Sequence, residues 1–212
     1  MISKNPDQTR KVLLDAAYLE IQRHGFQATS LSDILSHTGL TKGALYHHFP
    51  NKLALGYAVV DDIIREKIAA CWITPLTACE NPIDGLMDLL RHAAQEAGQE
   101  YAQSDCLLNK LAQEMSPVDA GFRQRINNIY VDWRGAISHA LAEGQCNHSV
   151  RAEINPDAAA TFIVAAIEGC AGMAKNVNGI NLLCECGEGL MHYLETLRVK
   201  PENLSWGHSE ND

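Results

Sequence analysis

The stretch that decides the fold is "SLSDILSHTGLTKGALYHHFPNK", residues 30–52. It predicts two short helices, one beginning at Ser30 and the other at Thr41. Asp33 follows Ser30 by three residues, which is close to a capping box, and Gly39 stands where a tight connection needs a left-handed residue. This spacing is typical of a helix-turn-helix, whose second helix enters the major groove of DNA.

The second helix of this stretch has the chemistry that a DNA groove requires. Thr41, Lys42 and Gly43 lie at its N-terminus, where free N–H groups and the helix dipole favour a phosphate or a base acceptor. Gly43 and Ala44 are small, so the backbone can approach the base edges. Further predicted DNA contacts come from hydroxyl, imidazole and ammonium groups nearby: Ser30, Ser32, Tyr46, His47, His48 and Lys52.

The adjacent pair His47 and His48 has a second interpretation as a metal site. Neighbouring residues on a helix point about 100° apart, so the two rings cannot easily share one ion. We therefore expect phosphate contacts from these side chains, with no bound metal and no cofactor. Phe49, which follows them, is assigned to the core.

Charge is distributed unevenly along the 212 residues, whose net charge is -9. Residues 1–60 hold six Lys/Arg and four Asp/Glu, a net charge of +2, which leaves -11 for residues 61–212. A weakly basic unit can bind phosphate locally while an acidic remainder limits non-specific binding to nucleic acid. The division indicates two separate tasks on one chain.

Composition is typical of a globular protein, and we expect a cytoplasmic location. Hydrophobic residues make up 46% and charged residues 20%, and the N-terminus has no apolar segment of a secretory signal. We also find no apolar run of the roughly 18–20 residues that a membrane span needs. The seven cysteines, an odd number without regular spacing, are expected to be reduced thiols.

Helical periodicity extends along the whole chain and strand signals are nearly absent, which predicts an all-α protein. Glycine, proline and capping residues divide it into nine helices, three of them short and near the N-terminus. The predicted division is a helix-turn-helix domain at 1–52, a helical effector-sensing and dimerisation domain at 53–200, and a flexible tail at 201–212.

The last two helices are candidates for a dimer interface, because they are apolar on most sides. Two such helices from each subunit would form a four-helix bundle about a two-fold axis. The alternative is that both are buried within one subunit. The side chains expected at the interface are Ile163, Ile167, Gly169, Met173, Leu183, Leu190 and Leu194.

The first fifty-five or so residues resemble the TetR-type one-component repressors. The resemblance rests on "RHGF", "TSLSDI", "TGLTKGALYHHF" and "NKLAL" in that order. It implies a nine-helix, two-lobed protein that dimerises on a roughly palindromic operator. Carried over to the matching positions, the family's DNA contacts fall on Ser32, Thr41, Lys42, Gly43, Tyr46, His47, His48 and Lys52.

The segment "SDCLLNKLAQEM" places Cys106 at the start of a helix. With Ser104 or Asp105 as the cap, its sulfur would lie in the first turn, where the helix dipole lowers a thiol pKa and raises its reactivity. Asp105 and Glu114 oppose this effect. Together with "MAK" at 173–175, the segment resembles the electrophile-sensing branch of the family, which implies a reactive Cys106 tuned by Lys175.

Other interpretations of these cysteines and of Lys175 stay open. Cys106 could be structural, and Lys175 could be an ordinary solvated charge. A metal sensor would draw on Cys184, Cys186, Cys146 and His148, although Cys184 and Cys186 face different sides of a helix.

The predicted function is that of a DNA-binding regulator, by default a repressor. A small molecule or the modification of a cysteine would release it from its operator. A cysteine-dependent enzyme is the alternative, and it would need a base such as His92, His139 or His192 beside Cys106. No phosphate-binding loop or metal-ligand motif accompanies them. We therefore expect no enzymatic activity.

Overall fold

The computed structural model describes residues 6–99, 106–177 and 180–199, with side chains described at all of these except 96–99, 175–177 and 180. Over these ranges the chain forms nine helices and no β-strand, so the all-α prediction is confirmed. The helices are α1 (Pro6–His24), α2 (Leu31–Ser36), α3 (Lys42–His48), α4 (described below), α5 (Pro82–Gln99), α6 (Leu107–Met115), α7 (Ala120–Cys146), α8 (Pro156–Val177) and α9 (Ile180–Leu197). The predicted tail at 201–212 lies outside the described residues.

We call helices α1–α3 the head, and in it α2 and α3 are capped locally as the sequence predicts. The Ser30 hydroxyl accepts from the Asp33 backbone N–H, and the Asp33 carboxylate accepts from the Ser30 N–H, both at 3.1 Å. Thr41 caps α3 by accepting from the Ala44 N–H at 3.2 Å. Gly39, between the helices, has φ +65°, a conformation that costs glycine little and other residues more.

The apolar core of the head, which continues into that of the body, holds α3 in a fixed orientation. One face of α1 is buried against α2 and α3, and Phe49 closes the end of α3 as predicted. Because the apolar side of α3 is occupied in this way, its opposite side faces outward. The buried residues are Leu13, Leu14, Ala17, Ile21, Ile34, Leu35, Leu45 and Phe49.

Helix α4 begins the body, the name we give to α4–α9. It is one continuous helical run composed of Lys52–Ala58 (α), Val59–Ile64 (π), Arg65–Ile68 (α), Ala69–Ile73 (π) and a final 3-10 turn, Thr74–Ala78. Asn51 caps its start by accepting from the Ala54 N–H at 2.8 Å. The two π segments make α4 irregular where it crosses the body. Such wide turns are rare and often accompany functional sites.

The long helix α7 is the central element of the body. Its buried side chains recur at helical spacing, and α4, α6 and α8 pack around them. Phe122 also joins the head to the body, since its ring packs edge-on to Phe26 with the centroids 4.7 Å apart. The buried residues of α7 are Phe122, Ile126, Ile129, Trp133, Ile137, Leu141 and Gly144.

Helix α8 differs from expectation in its apolar length. Its segment Pro156–Ala174 is long and apolar enough to cross a membrane by length and composition alone, which the sequence reading did not anticipate. Core helices of soluble proteins meet the same criterion, and α8 packs between α7 and α9 with the carboxylate of Glu168 buried among them. Length and composition therefore do not make α8 a membrane span.

The predicted dimer-interface residues divide between the inside and the outside of the protomer. Ile163, Leu190 and Leu194 are at most 5% exposed and belong to its own core, so placing them at an interface was wrong. Because α8 and α9 are apolar on several faces, periodicity alone could not tell which face turns inward. Of the others, Ile167 and Leu183 are half-buried, while Gly169 and Met173 are exposed.

Candidate nucleic-acid interface

One side of α3 forms an exposed, polar surface. Lys42, Gly43, Tyr46 and His47 are exposed, and Tyr46 is 53% accessible although it is aromatic. Ala44 and His48 are half-buried beside them, and Ser32 is exposed on α2. This arrangement presents hydroxyl, ammonium and imidazole donors on a short helix whose opposite side is fixed in the core.

Three other predicted contact residues have roles within the head. The Ser30 hydroxyl donates to the Asp33 carboxylate at 2.6 Å, and the Thr41 hydroxyl caps α3. Lys52 donates from Nζ to the Gln27 carbonyl at 3.0 Å, and burial lowers the pKa of its ammonium group. These side chains therefore position α2, α3 and the start of α4.

A buried carboxylate that was not predicted from the sequence lies in the head, between α1 and the end of α2. Glu20 is buried on α1, and three basic side chains approach its oxygens: Arg23 Nη1 at 3.4 Å, His37 Nε2 at 3.4 Å and His24 Nε2 at 3.7 Å. The guanidinium group of Arg23 offsets part of the negative charge of Glu20. In the described ranges, no three His, Cys, Asp or Glu side chains are arranged to hold a metal ion.

A second polar cluster lies inside the body and centres on Glu168 of α8. Its carboxylate accepts from the Cys106 thiol and from the Tyr130 hydroxyl, each at 3.0 Å. The Asn109 side chain donates to the Glu168 backbone carbonyl, also at 3.0 Å. Burial raises the pKa of Glu168, and its two hydrogen bonds offset that effect only in part.

The surroundings of Cys106 oppose the predicted reactive thiolate, and its predicted place in the first turn is wrong. Cys106 is the N-terminal cap residue of α6 and is not in its first turn. Burial, followed by the charge and hydrogen bond of Glu168, raises the pKa of the Cys106 thiol well above its ordinary value, although backbone N–H groups of α6 act in the opposite direction. Ser104, Asp105 and the side chain of Lys175 lie outside the described residues.

One donor close to this cluster lacks a partner. Trp133 lies one turn after Tyr130 on α7 and is fully buried. Its Nε1 is the one buried side-chain nitrogen or oxygen without a hydrogen bond among the residues that the structure describes. Its ring packs against Trp72, from the second π segment of α4, with 5.4 Å between the centroids. A buried N–H without an acceptor costs free energy that a bound acceptor would recover.

Helix α6 connects this part of the body to the head. Near its start lie Cys106 and Asn109, which bond to Glu168. The residue after Asn109, Lys110, donates from Nζ to the Gln22 carbonyl of α1 at 2.7 Å. At its C-terminal end, Glu114 accepts from the backbone N–H groups of the loop between α1 and α2. One short helix therefore makes hydrogen bonds both to Glu168 and to the head.

These features define the class of protein: a helix-turn-helix head carried on a helical body is a DNA-binding transcriptional regulator. The chain belongs to the TetR family of bacterial regulatory proteins, whose N-terminal family model matches residues 13–59. The model of the LmrA/YxaF-like transcriptional regulator C-terminal domain matches residues 82–188. The protein is accordingly a regulator and not an enzyme.

Individual proteins agree with this assignment. The HTH-type transcriptional regulator LmrA of Bacillus subtilis is 29% identical over 165 residues, covering 76% of this chain and 83% of its own. A TetR regulator from Chloroflexus aurantiacus has the same fold, with a TM-score of 0.84 at 24% identity over 93% of this chain and 100% of its own. The reduced form of Escherichia coli NemR has the same fold, with a TM-score of 0.79 at 24% identity over 91% of this chain and 99% of its own.

Proposed function

We propose that this protein is a repressor that binds a palindromic operator as a homodimer. Residues 1–52 read the DNA, and residues 53–200 sense an effector and dimerise. The observation that carries the proposal is the outward face of α3, where Lys42, Gly43, Tyr46 and His47 are exposed on a helix whose other side is buried. Two copies related by a two-fold axis place two such helices in successive major grooves.

The dimer interface in this proposal is an apolar stripe along α8. Phe162, Ala165, Gly169 and Met173 are spaced so that they share one helical face, and all are exposed. Phe162 and Met173, at 52% and 50% accessibility, are large apolar side chains that a partner would cover. The stripe includes two of the residues predicted from sequence and replaces the three that belong to the core.

Regulators of this family often bind small molecules, and we place the effector site of this protein inside the body. Trp133 offers a buried donor without an acceptor. Polar groups are provided by Tyr130, which lies one turn earlier on α7, and by Glu168 on the neighbouring helix α8. The effector in this proposal is a largely apolar molecule with a hydrogen-bond acceptor for the indole N–H. It acts by displacing α6, which bonds to both the Glu168 cluster and the head.

The operator part of the proposal is tested with DNA from upstream of the protein's own gene. Purified protein is titrated against a full palindromic site and against one half-site, with the dimer verified by analytical ultracentrifugation. We expect one dimer per palindrome and much weaker binding to the half-site. Equal binding of one protomer to either duplex would overturn the proposal.

The effector part is tested separately by release from the bound operator. N-ethylmaleimide is added to complexes of the wild type and of Cys106→Ser. A raised thiol pKa makes Cys106 a poor nucleophile, so we expect no release that depends on this residue. Release of the wild type alone would contradict a small-molecule mechanism and restore Cys106 as the sensor.

A further inference from the structure

Two cysteines that the DNA-binding function does not use face one another across the last two helices. Cys170 on α8 and Cys186 on α9 are both half-buried, and an interaction with Cys186 contributes to the raised pKa of the Cys170 thiol. By contrast, Cys184, one residue before Glu185 on the same helix, is exposed. The pair belongs to neither the head nor the Glu168 cluster.

The positions of the two cysteines along α8 and α9 also bring their thiols close together, independently of their pKa values. The helices α8 and α9 are antiparallel neighbours, and the rings of Phe162 and Tyr193 meet edge-on with centroids 4.6 Å apart. Cys170 lies eight residues after Phe162, and Cys186 lies seven residues before Tyr193. Both steps advance about two turns along the helix axis, so the two cysteines lie at the same level of the hairpin, with Cys170 turned by about 80° from Phe162 around α8.

We propose that Cys170 and Cys186 form a dithiol site that peroxides oxidise to a reversible disulfide between α8 and α9. The Cys186 sulfur attacks one oxygen of hydrogen peroxide, the O–O bond breaks, and the departing hydroxide takes a proton to become water. The Cys170 sulfur then attacks the resulting sulfenic acid, forming the S–S bond while the S–O bond breaks. The second hydroxide leaves as water with the Cys170 proton, so two thiols and one peroxide give one disulfide and two waters.

The order of attack follows from the environment of Cys170. Burial, then the hydrogen bond and charge of Cys186, raise the pKa of Cys170 to about 12. Cys170 therefore keeps its proton, and the attack on the peroxide is made by Cys186. Cys170 acts as the resolving thiol because it lies at the level of Cys186 on the neighbouring antiparallel helix.

A disulfide at this position would act on the part of α8 that contacts α6. Glu168 lies two residues before Cys170, and it bonds to Cys106 and Asn109 at the start of α6. Bringing Cys170 toward α9 changes the position of this turn of α8. The effect on DNA binding rests on the proposed function, whereas the formation of the disulfide does not.

Peptide mapping of the intact dimer tests the disulfide without any DNA. Trypsin cleaves after Arg151, Lys175 and Arg198, so Cys170 lies on peptide 152–175 and Cys186 on peptide 176–198. After hydrogen peroxide and alkylation of free thiols, we expect these peptides joined and lighter by two hydrogen atoms than their sum. Fragmentation should place the bond at Cys186, and thiol titration should fall from seven to five per chain.

Two serine variants provide the matched comparison. The cross-link should persist in Cys184→Ser and be absent in Cys186→Ser. Its absence from the wild type, or its persistence in Cys186→Ser, would overturn the proposal. Operator binding is then measured for the oxidised wild type. A disulfide that leaves binding unchanged would contradict the link from α8 to α6 while the site itself stands.

Discussion

The carboxylate of Glu114, near the end of α6, accepts hydrogen bonds from the backbone N–H groups of Phe26 at 2.9 Å and of Gln27 at 2.7 Å. The two residues Glu114 and Phe26 are 88 positions apart and belong to the body and the head, respectively. The carboxylate thus satisfies two backbone donors in the loop that follows α1. Displacement of α6 consequently alters the support of the helix-turn-helix.

Removal of this carboxylate should loosen the loop without unfolding the body. In Glu114→Ala, the N–H groups of Phe26 and Gln27 lose their acceptor, so their hydrogen exchange should accelerate at least tenfold, or by about 1.4 kcal/mol of opening free energy. Exchange in α7 should stay unchanged. Glu143→Ala, at an exposed position on α7, is the control. Unaltered exchange at Phe26 would show that Glu114 does not support the loop.

Gly25 should tolerate no side chain. Its φ is +86°, and a Cβ atom there would lie 3.0 Å from Glu114 Oε2. Gly25→Ala is therefore expected to lower the free energy of unfolding by about 1–2 kcal/mol, the cost of a left-handed alanine. Gly135→Ala is the matched control, because a Cβ on this exposed glycine of α7 would meet no atom within 4 Å. Equal melting temperatures of the two variants would contradict the description of this loop.

Asp119 should stabilise the protein in a pH-dependent way. It caps α7 by accepting from the Phe122 N–H at 2.8 Å and also accepts from the Tyr57 hydroxyl at 2.8 Å. The backbone hydrogen bond and then the Tyr57 bond lower its pKa below 3.8. Because the folded pKa is depressed, the stabilisation is present above about pH 3.8 and is lost as the pH falls through the lowered value.

The measurement is urea unfolding of Asp119→Ala and wild type between pH 7 and pH 3. At neutral pH we expect the variant to be less stable by about 1 kcal/mol, the usual contribution of a helix N-cap. The difference should shrink toward pH 3. Asp88→Ala removes an exposed carboxylate of α5 and serves as the control. If the difference in unfolding free energy between the two proteins grows as the pH falls, the stabilising role of the Asp119 carboxylate is contradicted.

Glu168 should have the opposite dependence on pH. Burial raises its pKa above 4.5, so the folded state keeps a proton that the unfolded chain has released. Stability is therefore lost as the pH rises from about 4.5 through the raised pKa. Glu168→Gln cannot ionise, and this decline should be absent from its unfolding free energy. A parallel decline in both proteins would assign the titration to another group.

The elements near the opening stretch could be predicted because their signals are local. Caps at Ser30 and Thr41 and the glycine turn at Gly39 specify α2 and α3 within a few residues of one another. The Glu168 cluster could not be predicted in this way, because Cys106 and Glu168 are 62 positions apart. The start of a helix near Cys106, and with it the effect of the helix dipole on the thiol pKa, can be predicted from the sequence. The burial and the Glu168 carboxylate that outweigh this effect depend on the packing of α8.

The central claim is that the exposed face of α3 binds operator DNA, and Tyr46 tests it most directly. Fluorescence anisotropy at fixed salt should compare the wild type, Tyr46→Ala and Val118→Ala on the upstream DNA. Both side chains are exposed, so neither change should move the melting temperature, and Val118 lies in the body far from α3 in sequence. We predict a loss of affinity of about tenfold or more for Tyr46→Ala alone, within the range for one DNA contact. Wild-type affinity in Tyr46→Ala, or no binding by the wild type, would contradict the claim.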